Sequence, residues 1–163
     1  MTESAQQAFI HTNVHVFYTI AQESYTLMNE SLAIYRRPKP GGEPGFIISP
    51  DPDQMSFKHS FITIVFCGMF LESALHILIV QREGVDVYKE YDYKSYEEKL
   101  SLLGCDDQAV IDQCNHLRKV RREIVHEKAY INTDSFRVAQ NEADAAIKAI
   151  NGVVSYFNLK MKS

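Results

Sequence analysis

The chain has 163 residues, 45% hydrophobic and 23% charged. That balance predicts one globular domain over 1–163 and excludes a disordered or fibrous chain. The formal net charge of −4 and an isoelectric point near 5.8 exclude nucleic-acid binding through the surface as a whole, so any anion site is local. Cys67, Cys105 and Cys114 are odd in number, widely spaced and outside any C-x-x-C pair. A disulfide framework or zinc site is not expected, and a reducing, cytoplasmic setting is. The first residues, Met-Thr-Glu-Ser-Ala-Gln-Gln, lack a basic stretch followed by an apolar run, so no signal peptide is expected.

The first helix is predicted from Ser4 to Tyr35, with Ile10, Val14, Phe17, Ala21, Ser24, Met28 and Ser31 along one face. Pro38 prevents its continuation. All five prolines fall between Pro38 and Pro52, together with Gly41, Gly42 and Gly45, and residues 37–53 read as one irregular loop of a length that is usually functional. The second helix is predicted from Gln54 to Gln81. Residues 61–80 (FITIVFCGMFLESALHILIV) are apolar enough and long enough to span a bilayer. Glu72 and His76 inside the segment make a buried core helix the better reading, with no membrane partner.

Gly84 marks the exit of the second helix, and the tyrosine-rich residues 85–93 read as loop. A short helix follows from Lys94 to Leu102, stopped by Gly104. The next is predicted from Asp106 to Glu127, with acids in its first turn and cations in its last, as the helix dipole favours. Asn132, Thr133 and Asp134 offer caps for a final helix to Leu159, striped by Phe136, Ala139, Ala143, Ala146, Ile150, Val153 and Phe157. The sum is an all-α fold, an antiparallel bundle of four to five helices.

Two charges sit where apolar residues belong. At about 100° per residue, Val110, Cys114, Leu117, Val120, Ile124 and Val125 form one face, and Arg121 lies near its middle. A buried arginine needs a carboxylate, or its face opens onto a cleft or a second subunit. Glu72, the one acid between Phe61 and Val80, is the partner the pattern offers. Such a pair also serves as a plain brace between helices. His126 lies about 140° around an ideal helix from Arg121, so the two share a target only if the helix loosens, if Arg121 uses its length, or across a two-fold dimer.

The run LRKVRREIVHE, residues 117–127, resembles the R-x(4–6)-H signature of HEPN domains, and the helix order around it is similar over most of the chain. The resemblance implies a metal-independent endoribonuclease of a kind often found in toxins and defence effectors, although the family also holds non-catalytic relatives. His126 would exchange a proton with the ribose 2′-hydroxyl or the leaving 5′-oxygen, as a group titrating near neutrality can. Arg121 would hold the scissile phosphate. The products would carry 2′,3′-cyclic phosphate and 5′-hydroxyl ends. The resemblance further implies a homodimer with paired motifs across its cleft, an antitoxin or nucleotidyltransferase partner, and no metal or cofactor. Arg122 departs from the Asn, Asp or His usual after the motif arginine. It leaves cleavage in question but suits phosphate.

Arg118, Lys119, Arg121, Arg122 and Lys128 gather cations around His126 in an acidic chain, a local phosphate-binding surface. Tyr88, Tyr91, Tyr93, Tyr96 and Tyr130 could stack on unpaired bases, although packing is the commoner role. His11 and His15 are spaced for a metal on one helix face but lack a third ligand. Phosphate-binding loops, H-E-x-x-H and G-x-S-x-G are absent. Three functions follow: a ribonuclease, a binding module for RNA or nucleotide without cleavage, and a helical protein-interaction module in which Arg121 and Glu72 only brace the core.

Overall fold

The computed structural model describes residues 3–125 and 138–161, with side chains from Asn13 onward. Its helices are α1 (Glu3–Tyr35), α2 (Met55–Glu83), α3 (Val85–Tyr91), α4 (Tyr96–Leu102), α5 (Gln108–Val125) and α6 (Ala139–Tyr156). A two-stranded antiparallel hairpin, β1 (Arg36–Pro38) and β2 (Phe46–Ile48), joins α1 to α2. The chain is mostly helical, as its apolar periodicity requires.

α2 packs against α1, α3, α4, α5 and α6. It can do so because it is apolar on nearly every side: Ile64, Cys67, Phe70, Leu71, Leu75 and Ile79 have no exposed surface. By length and composition α2 could cross a membrane, and 56% of its most apolar window is buried in the bundle. α1 lays Val14, Ala21, Ser24, Met28 and Ser31 along α2 at the predicted spacing, with Phe17 half-buried beside them. Full burial of a side chain such as Met28 contributes about 1.5–3 kcal/mol. α6 buries Ala143, Ala146, Ile147, Ala149, Ile150 and Val153. The predicted caps 132–134 and Phe136 lie outside the described residues.

Two predicted loops have more structure than the sequence suggested. Across the predicted loop 37–53 and the residue before it, Arg36 pairs with Ile48, Arg37 with Ile47 and Pro38 with Phe46. The turn between the strands uses positive φ at Gly41 (82°), Gly42 (77°) and Gly45 (110°), conformations that glycine adopts without strain. Proline density signalled a break but hid a strand, because Pro38 sits on an outer strand where its missing N–H costs little. Asp51 then ties the hairpin to both helices. It accepts from the Asp53 and Ser56 N–H groups, each at 3.2 Å, and from the Ser31 hydroxyl at 3.3 Å. Burial opposes the Asp51 charge, but these bonds outweigh it and hold the carboxyl below its ordinary range.

Residues 85–91 form α3 rather than loop. Local propensity there is weak, and the segment is held by side chains: Tyr88 stacks on His76 of α2, and Lys89 meets Asp86 at 3.3 Å. α4 begins one residue after Ser95, whose side chain and that of Glu98 form a reciprocal capping box. Gly104, at φ 77°, ends the element as expected, with the Cys105 N–H reaching the Leu100 carbonyl at 2.9 Å. α5 starts at Gln108 rather than Asp106, because Asp107 lies outside the helix. Its carboxylate accepts from the Ala109 and Val110 N–H groups at 2.9 and 3.3 Å.

Candidate functional site

α5 buries Val110, Ile111, Cys114, Leu117 and Val120. Beyond Val120 burial fades along the axis: Ile124 is half-buried and Val125 is 55% exposed, so Val125 leaves the apolar face on which the sequence placed it. Arg121 stands where that face emerges from the core, and its side chain retains 25% of its exposure. The guanidinium therefore reaches water while its stem stays inside.

Arg121 Nη1 donates to Glu72 Oε1 at 2.5 Å, and the Tyr96 hydroxyl donates to the same oxygen at 3.1 Å. Gly68, one turn before Glu72 on α2, makes room for the arginine stem: a Cβ there would lie 2.2 Å from Arg121 Cδ and 2.9 Å from Nε. Nε is buried without a hydrogen-bond partner among the described residues. The arginine is thus set between a glycine that admits it and a carboxylate that orients it. Glu72 is half exposed, so solvent screens the pair and its net stabilisation is about 0–1 kcal/mol.

A polar string continues from Tyr96. Its ring lies 5.4 Å beneath the Arg118 guanidinium. Burial, then the Glu72 charge, raises the Tyr96 hydroxyl above its ordinary pKa, with Arg121 opposing. Lys99, 8% exposed, donates to the Asp92 carbonyl at 2.8 Å. Burial lowers its pKa, while the Asp92 and Glu72 charges oppose that and Arg118 adds to it. The His76 and Tyr88 rings are stacked at 3.7 Å and 5°, and the Tyr88 hydroxyl donates to Asp92 at 2.7 Å. Burial, reinforced by Asp92, raises Tyr88 to about 12, and burial lowers His76.

The four described cations, Arg118, Lys119, Arg121 and Arg122, do not form one patch. By helical rotation Arg118 lies about 60° from Arg121, Arg122 about 100° and Lys119 about 160°. Arg118 and Arg121 therefore serve the Tyr96–Glu72 side, whereas Lys119 and Arg122 are exposed to solvent. His126, Lys128 and Tyr130 lie outside the described residues. Of the described tyrosines offered for base stacking, Tyr96 is buried and Tyr88 already stacks on His76, which leaves Tyr93, 91% exposed, the most open. The three thiols are buried. Burial raises Cys67, and burial with the neighbouring Cys105 raises Cys114 to about 12. Among the described residues, no group of three or more His, Cys, Asp or Glu side chains is arranged to hold a metal ion.

Gly68, Lys99 and the His76–Tyr88–Asp92 contact were not singled out from sequence, and Tyr96 was offered for base stacking rather than for its bond to Glu72. Gly68 left a readable signal, since an isolated glycine inside an apolar helix marks a close approach. The others depend on how α3 and α4 dock. No protein-family model, curated protein or solved structure matches the chain.

Proposed function

We propose that the protein is a HEPN-type, metal-independent endoribonuclease of the cytoplasm, acting on single-stranded RNA as a homodimer. The observation that carries the reading is Arg121, a half-buried guanidinium emerging from an apolar helix face beside Tyr96 and Arg118. A planar, permanently charged donor held in this way suits a scissile phosphate and the charge that develops on its oxygens. His126 moves the proton: it takes it from the attacking 2′-hydroxyl or gives it to the departing 5′-oxygen, leaving a 2′,3′-cyclic phosphate and a 5′-hydroxyl. Lys119 and Arg122 add phosphate contacts that supply affinity without sequence preference.

A second reading, a HEPN-like module that binds RNA or a protein partner without cutting, draws on the Arg121–Glu72 contact. A phosphate must share or displace that carboxylate, and Arg122 stands where the resemblance expects a smaller polar residue. The test is incubation of a mixed single-stranded RNA in EDTA with wild type, His126→Ala and Arg121→Ala, followed by end-group analysis. Cutting by wild type alone, with cyclic phosphate ends, supports the nuclease. Salt-dependent binding by a folded, non-cutting wild type supports the module. Equal cutting by all three proteins removes Arg121 and His126 from the chemistry.

A further inference from the structure

The α1–α2 connection carries a surface unlike the rest of the molecule. Every residue of β1 and β2 is exposed, and β2 consists of Phe46, Ile47 and Ile48, which are 58%, 46% and 69% exposed. Ile34, at the end of α1, is 72% exposed. The Asp51 bonds to Ser31 and Ser56 bring the end of α1, the start of α2 and the hairpin to one end of the bundle. A two-stranded ribbon open on both faces is marginal by itself, and an uncharged apolar edge strand is a template for pairing.

The two edges differ in chemistry. β1 carries Arg36, Arg37 and Pro38, that is, two cations and a residue with no N–H to donate. β2 has neither obstacle. The Ser49 N–H reaches the Tyr35 carbonyl at 2.8 Å and the Lys39 N–H the Gly45 carbonyl at 3.4 Å. With the observed register, these bonds turn the backbone groups of Ile47 toward β1 and those of Phe46 and Ile48 outward. The sheet has two strands among the described residues, so that outward row is unpaired there.

We infer that β2 is a homodimerisation edge, pairing antiparallel with β2 of a second copy about a two-fold axis at Ile47. In that register Phe46 of each chain faces Ile48 of the other, each pair exchanges two hydrogen bonds, and the two Ile47 residues meet as the pair without hydrogen bonds between them. Slipping by two residues either way brings in Pro44 or Pro50, which lack the N–H that the slipped ladder needs. The two prolines therefore bound the pairing segment at both ends.

Charge fits a second copy, and area limits its affinity. In the four-stranded sheet the Arg36 and Arg37 of each chain stay on the outer strands, about 14 Å from their counterparts, beyond a Debye length of about 8 Å. Phe46, Ile47, Ile48 and Ile34 leave on the order of 500 Å² of surface in water per chain. Edge pairing covers only part of the roughly 1,000 Å² that two chains expose there, below the size of a stable interface, so the dimer is weak and forms at micromolar concentrations or above. The edge is about 20 Å along α2 from Gly68, so this contact stands apart from the Arg121 cleft and does not depend on the nuclease reading.

The test is sedimentation equilibrium of the full chain across the micromolar range, with wild type, Ile48→Lys and Ile47→Cys. The expected result is a wild-type mass that rises toward two chains with concentration. Ile48→Lys stays at one chain and, at dilutions where wild type is also monomeric, melts at the same temperature. Ile47→Cys forms an interchain disulfide on mild oxidation, because the paired α-carbons stand about 4.5 Å apart and the native thiols are buried. Ile34→Cys, on the same patch but off the axis, serves as the control and does not cross-link. A wild type that remains monomeric overturns the inference, whether or not it binds anionic vesicles. A dimer that survives Ile48→Lys and leaves Ile47→Cys uncoupled also overturns it and moves the interface elsewhere, the Arg121 cleft included.

Discussion

The stem of Arg121 occupies the space that a side chain on Gly68 would need, with Cδ 2.2 Å from where that Cβ would sit. Gly68→Ala therefore forces the arginine out of its slot or pushes α5 from α2. Overpacking of this kind costs about 1–3 kcal/mol, which chemical denaturation measures. The cost is specific to the arginine: in an Arg121→Ala background the three atoms nearest the added methyl are gone. A double-mutant cycle should show coupling of about 0.5–3 kcal/mol. Equal costs in both backgrounds would mean that Gly68 answers to something other than Arg121.

Glu72→Gln removes the charge that holds the Arg121 guanidinium but keeps a similar shape. Because the carboxylate is half exposed, the stability change should be small, about 0–1 kcal/mol. If the proposed RNA reading holds, binding should tighten several-fold, since a phosphate no longer competes with a carboxylate for Nη1. Filter binding at two salt concentrations checks this. Weaker binding would make Glu72 an aid to phosphate recognition rather than its competitor.

The stacked His76 should make stability fall on the acid side. Burial, the largest influence, lowers its folded pKa, with Asp92 opposing and Lys99 adding to the effect. For a base with a lowered folded pKa, the neutral form is the one the fold prefers. That contribution is complete above the unfolded value near 6.5 and is lost as pH falls from there through the folded value. His76→Phe keeps a ring against Tyr88 and has no proton to take up. The melting temperatures of the two proteins should diverge between pH 7 and 5, with wild type falling faster, beyond the general carboxylate losses they share.

Tyr88 should act at the other extreme. Raised to about 12 by burial and Asp92, it stays protonated in the fold above its ordinary value near 10. A group of this kind contributes stability that is present below about 10 and is lost as pH rises toward 12. Tyr88→Phe should flatten that alkaline limb in a urea-unfolding series, and an unchanged limb would place the titrating group elsewhere.

The thiols should be slow to react. Cys67, Cys105 and Cys114 are buried, and Cys114 is raised to about 12. At pH 8 a disulfide reagent should label the native protein only as fast as it opens, and the denatured chain at once. Rapid reaction of Cys105 or Cys114 in the native state would reveal an opening motion near α4 and α5, and of Cys67 one at α2.

What could be read from the sequence follows physical range. The faces of α1, α5 and α6 were readable because apolar periodicity records which side of a helix is buried, and residues such as Val14, Ala21 and Met28 obey it. Arg121 and Glu72 were conspicuous because charge on an apolar face demands a partner. α3 escaped notice because its anchor, Tyr88 on His76, joins residues that local propensity cannot connect. Gly68 was visible as a residue but not as a space, since only the docking of α5 gives its missing side chain a meaning. The hairpin was hidden by its own prolines, one of which lies within a strand.

The central place of α2 also sets an order of events during synthesis. Its most apolar window is covered by helices on both sides of it in sequence, and α5 and α6 leave the ribosome only after it. Completing that cover takes roughly 70 further residues, or on the order of 4–15 s at ordinary elongation rates. Through that interval a segment long and apolar enough to cross a membrane stands without its later neighbours. The growing chain therefore carries its most apolar segment only partly covered until α6 is made.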